Sequence, residues 1–111
     1  MTYLPNRALD AVAANVNGPV TNLSGAHAKL AMQVLLTGAP TGGTVTLQGS
    51  LDGTNFDTSG TGLAQFTIGT DASGAIKFAI DKPVSFYRVA LAGLAGGTNP
   101  TVTAIVAVAA P

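Results

Sequence analysis

One histidine, His27, and five aspartates, at positions 10, 52, 57, 71 and 81, are the side chains best suited to acid–base chemistry or cation binding in this 111-residue sequence. There is no cysteine and no glutamate, so thiolate nucleophiles, disulfides and sulfur metal sites are excluded. A nucleophile–base triad would have to be built on His27. It sits beside Gly25 at the mouth of a strand pattern, with no motif linking it to an acid, and reads as a surface or strand-edge residue. Asp52, Asn55 and Asp57 are the nearest thing to a metal loop, but they lack the one-three-five oxygen spacing and the distal bidentate glutamate of a calcium site. In 44-TVTLQGSLDGTNF-56 the pair Asp52-Gly53 instead predicts a hairpin turn, since glycine takes the positive φ that such a turn needs. Asn55 also tolerates left-handed backbone, so a four- or five-residue loop with a bulge is equally allowed, with Phe56 re-entering a core. The Gly-Gly pairs at 42–43 and 96–97 precede neither Lys-Ser, Lys-Thr nor a helix, as a phosphate cradle requires. A paired-carboxylate glycosidase site would be unusual with so few acids and no tryptophan. The expectation is a non-enzymatic protein with no metal and no cofactor.

The elements that would position these residues follow period two. In 28-AKLAMQVLLT-37, Ala28, Leu30, Met32, Val34 and Leu36 face one way; in 44-TVTLQGSL-51, Val45, Leu47 and Leu51 do; in 101-TVTAIVAVAA-110, Val102, Ala104, Val106 and Val108 do. The runs 64-AQFTI-68, 75-AIKFAI-80 and 84-VSFYRVALA-92 complete the set, each bounded by Gly, Pro, Asn or Asp. This spacing predicts an all-β fold, a single antiparallel β-sandwich, Ig-like or jelly-roll-like. Phe56, Phe66, Phe78 and Phe86 are expected in its core, and Arg88 should point away from Tyr87 and Val89.

Residues 1–18 read as an N-terminal arm and 19–111 as the sandwich domain. The arm is open to two readings: an alanine-rich helix over 7-RALDAVAANV-16 stopped by Asn17-Gly18, or an extended segment with Leu9, Val12 and Val16 as a thin apolar stripe. Tyr3, Leu4, Pro5, Arg7 and Leu9 are its expected contact residues, Tyr3 and Leu4 as anchors and Arg7 as a polar lock. Pro5, Arg7 and Asp10 stand where a signal peptide would carry its apolar core, so export by that route is not expected. Charged residues make up only 9% of the chain and cancel to zero, against roughly 25% in an average domain. Such a surface is poorly protected against association and predicts a subunit that lives against neighbours. Five scattered cations form no nucleic-acid patch. The uncharged stretch from Val89 onward is broken by Gly93, Gly96, Gly97, Asn99 and Pro100, which argues against a membrane span.

The stretch 44-TVTLQGSLDGTNF-56, followed by 86-FYRVALAGLAGGTNPTVTAIV-106, resembles small β-sandwich virion proteins of tailed bacteriophages, most of all capsid decoration (cement) proteins. Phe56 stands where that pattern often has tryptophan. The resemblance covers about residues 19–108 and rests on turn and core residues, so it carries over no catalytic group. It implies a structural subunit made in the host bacterial cytoplasm and bound to the capsid exterior. Its partners would be the major capsid protein and copies of itself, in a trimer by analogy, with neither nucleic acid nor membrane. A phage tail subunit, structural or host-contacting, is the alternative within that class, and a carbohydrate-binding β-sandwich module the alternative outside it.

Overall fold

The computed structural model describes residues 6–109. The strands are β1 (Asn6–Val12), β2 (Val16–Asn17), β3 (Thr21–Thr37), β4 (Gly42–Ser50), β5 (Ala64–Thr67), β6 (Ile76–Ala95) and β7 (Thr101–Val108). No helix occurs among the described residues. All strand pairs are antiparallel, in the order β1-β7-β3-β6-β4-β5, with β2 also on β6.

β3 has 17 residues and β6 has 20, about three times the common strand length. Each is long because it serves two layers. Residues 29–33 of β3 pair with 76–80 of β6, whereas residues 86–95 of β6 pair with β4. One layer is therefore β1, β7, the second half of β3 and the first half of β6. The other is β5, β4 and the second half of β6, joined by β2 and the start of β3.

The crossing is made by local backbone chemistry. The β3–β6 register breaks on both sides of His27, and Ser24, Gly25 and Asp81 adopt positive φ of 56, 135 and 60°. Asn22 Oδ1 accepts from the Ser24 amide at 2.8 Å, a side-chain turn that supports the bulge. Pro83, which has no amide to offer a ladder, falls beside the same break in β6.

The core lies between the layers. β3 supplies Leu30, Met32 and Val34, β7 supplies Val102, Ala104 and Val106, and the facing layer supplies Val45, Leu47, Phe66, Tyr87, Val89 and Leu91. These rows match the alternation expected from the sequence except at Leu51, which lies past the end of β4 and is exposed, and the chain is an all-β sandwich. Tyr87, the largest fully buried side chain, accepts a hydrogen bond at its hydroxyl from Asn6 Nδ2, 3.2 Å. A buried phenol needs such a partner.

The helical alternative for residues 7–16 is not adopted, because β1 is hydrogen-bonded to β7 from Asn6↔Val106 to Val12↔Val102. Nor is its described part an appendage, since Ala8 and Leu9 are both buried in the common core. Two register shifts put these consecutive residues on the inner side.

Gly49 sits where β4 meets the β6 bend, and an added Cβ would lie 2.5 Å from Val84 Cγ1. Val84 is a stiff β-branched residue that cannot swing clear. Gly49→Ala should therefore destabilise the fold by about 1–3 kcal/mol, measured as the shift in urea midpoint at unchanged m-value.

Candidate functional site

The Asp52 segment is not the short hairpin expected. β4 ends at Ser50, β5 begins at Ala64, and residues 51–63 form a long loop closed by Leu47↔Ala64 pairing. Asp52 organises its start. Its Oδ1 accepts from the amides of Thr54 and Asn55, each at 2.8 Å, and from Ser50 Oγ at 3.0 Å; its Oδ2 accepts from Asn55 Nδ2 at 2.8 Å. The Asn55 and Thr54 amides, then the Asn55 and Ser50 side chains, hold this carboxyl far below the usual range. Gly53, with φ of 78°, lies against the Phe86 ring.

Phe56 does not re-enter the core. It is half-buried over the outer face of its layer, with Arg88 Cζ 4.4 Å from its ring centroid. Arg88 points away from Tyr87 and Val89, and its Nε donates to Gln48 Oε1 at 2.7 Å. Gln65 likewise donates to Thr46 at 3.0 Å. The outer face of this layer is thus roofed by its own loop and a polar row.

Asp52 and Asp57 do share an open hollow of about 390 Å³, with Ser50, Leu63 and Val84 in its lining. Asp57 is turned on Ser59, whose side chain and amide lower its pKa. A general acid needs a raised pKa, so both carboxyls are tuned in the opposite sense, as acceptors that fix the loop. Asp71 accepts from the Thr67 amide and from Lys77 Nζ, at 2.8 and 2.9 Å, which lower its pKa in that order. Asp10 pairs with Arg7. His27 lies in the β3 bend with Nδ1 2.9 Å from the Ala109 carbonyl, which places the proton on that nitrogen. Among the described residues, no three His or Asp side chains gather where they would hold a metal ion.

The other layer has no roof. Its outer face carries Ile76, Phe78 and Ile80 of β6, which are 47, 64 and 59% exposed, with Leu35 of β3 farther along. Beside them Ala31 and Ala107 leave a shallow apolar hollow of about 220 Å³, rimmed by Lys29 and Ala109. Phe78 is thus the reverse of the core residue expected. Residues opposite each other in a ladder share a face, and Ala31↔Phe78 and Leu30↔Ala79 put Phe78 outside and Ala79 inside. Of the four phenylalanines only Phe66 is buried. Locally the bulky row Ile76, Phe78, Ile80 looks like the core row, and the pairing with Leu30 and Met32 that sets it outside is distant in sequence.

Of the expected contact residues, Tyr3, Leu4 and Pro5 lie outside the described residues. Arg7 is exposed and 3.3 Å from Asp10. Leu9 is 3% exposed and packs in the chain's own core, so it is not a surface contact. The ladder with β7 turns it inward.

No protein-family model and no curated protein sequence matches the chain. Among solved structures it is similar to the crystal structure of the SPBc2 prophage-derived protein YomS, with a TM-score of 0.61 and 10% sequence identity over 96% of this chain and 93% of that one. At that identity the likeness is one of fold.

Asp52, Asp57 and Asp71 all titrate below the ordinary carboxyl value of 3.8. Between the folded values and 3.8 the unfolded chain binds more protons. The stability these groups lend is therefore complete above 3.8 and lost as the pH falls through the folded values. Thermal midpoints taken from about pH 6 down to about pH 2 should fall mainly below pH 4, and Asp52→Asn should flatten part of that decline. Parent and variant curves of equal steepness would refute the role given to the Asp52 bonds.

Proposed function

We propose that the chain is a non-enzymatic structural subunit of a tailed-phage particle, a decoration subunit that binds the capsid exterior and stabilises the shell through contacts with its neighbours. The observation carrying the phage reading is the likeness, over nearly the full length of both chains, to a prophage-derived protein. The decoration reading rests on the sequence resemblance and on the form of the molecule. It is a stiff sandwich with 9% charged residues, whose ionised side chains are largely engaged within the subunit and which leaves one apolar sheet face bare.

Such a subunit works by repetition. Each contact with the major capsid protein or with another copy is weak, but a lattice presents many at once, and effective concentration makes the sum large. The charge-poor face limits repulsion between closely set copies. Arg7, with residues 1–5 ahead of it, is the proposed reach toward a neighbour.

Immunogold labelling of purified virions should place the protein on the head, and adding it to heads that lack it should raise their heat-disruption temperature. Label confined to the tail would favour a tail subunit, and specific binding on a glycan array would favour a sugar-binding module; either result overturns the capsid assignment.

A further inference from the structure

We infer that the first half of β6, Ile76–Ile80, is a self-complementary edge where a second copy of the chain adds by antiparallel pairing centred on Phe78. This holds for whatever particle the chain belongs to.

Among the described residues, this segment pairs with β3 on one side and with no strand on the other. The bonding parity of the ladder identifies the free groups. The Val34 amide donates to the Ala75 carbonyl, whereas the Lys29 carbonyl accepts from the Ala109 amide. Even-numbered β3 residues thus bond toward β6 and odd-numbered ones toward β7. Opposite Leu30 and Met32, residues Ala79 and Lys77 bond inward, so the amides and carbonyls of Ile76, Phe78 and Ile80 point off the edge.

These three residues are symmetric about Phe78, and that symmetry selects the occupant. An antiparallel copy in register sets Phe78 opposite Phe78 and Ile76 opposite Ile80, so every outward amide and carbonyl of the three finds a partner. The same register joins the two apolar rows into one, with aromatic and β-branched pairs that favour strand pairing. Charge agrees with it. Lys77 faces Ala79 of the other copy, not a like charge, and keeps Asp71 of its own subunit as its ion partner. A shift by two residues toward the N-terminus would set Lys77 against Lys77. The exposed side chains of the edge are Ile, Phe and Ile, and its one charge, Lys77, lies on the opposite side of the strand, paired with Asp71.

An edge this short covers less area than a permanent dimer needs, so the pair should be weak, with a Kd on the order of 100 µM. The natural absence of cysteine gives a clean test. Single variants Ile76→Cys, Phe78→Cys and Ile80→Cys would be oxidised mildly at about 0.5 mM chain, a concentration set by that Kd. Phe78→Cys should form a disulfide dimer. Ile76→Cys and Ile80→Cys alone should not, because like positions stand about 13 Å apart in this register, but a mixture of those two should. In sedimentation equilibrium the parent should dimerise, and Phe78→Lys, which alters only an exposed side chain, should stay monomeric. Equal cross-linking at all three positions, or a parent that remains monomeric at that concentration, would overturn the proposal.

Discussion

β3 and β6 must turn from one layer to the other at the same place, and nearly every other contact depends on that shared bend. A strand that changes layers carries its ladder with it, so the break in one strand has to be matched by a break in its neighbour. Here the register slips around His27 on one side and between Ile80 and Val84 on the other. The positive φ values at Ser24, Gly25 and Asp81 supply the geometry. Val84, just past the bend, fits against Gly49 of β4. A side chain there would separate β4 from the strand it must pair with, and the second layer would lose its centre.

The same bend explains the asymmetry of the two faces. After it, β6 runs between β4 and the β2–β3 side, and Arg88 emerges on a face that the 51–63 loop can reach. Before it, β6 is the last strand of its layer, and the short connection through Asp71 stays at the rim, tied to Lys77. One face is closed by an aromatic ring, a guanidinium and two glutamine side chains, while the other ends in three bulky apolar side chains.

Much of this was legible in the residues. Leu30, Met32 and Val34, Val45 and Leu47, and Val102, Ala104 and Val106 are uniformly apolar on one side of their strands, and burial follows. Tyr87 and Arg88 separate by the same alternation. The failures share a cause, which is that the deciding contact is distant in sequence. Which side of 76–80 faces inward is set by Leu30 and Met32, and locally the larger residues look like the core row. Phe56 follows an Asp-Gly turn, but the loop continues until Leu47 finds Ala64. In β1 the shifted register buries the neighbours Ala8 and Leu9, so no period of two exists to be read. The Asp52 loop itself was legible as a turn, since short-range bonds from a carboxylate to the next amides need no distant partner.

Scarcity of charge gives the bare face its meaning. Soluble sheets usually guard an open edge with lysine or an inward charge, at a cost in core stability. In this chain the ionised groups serve local structure: Lys82 donates to the Leu63 carbonyl, Lys77 to Asp71, and Arg88 to Gln48 while it covers Phe56. Lys77 lies in the edge strand itself, but its place opposite Met32 puts it on the other side from Ile76, Phe78 and Ile80, and there it reaches Asp71 at the rim. Asp71 performs two tasks with one carboxylate: it caps the turn after β5 and pairs with the lysine of the edge strand. The alternation that packs Ala79 into the core is the same alternation that sets Ile76, Phe78 and Ile80 on the outer margin.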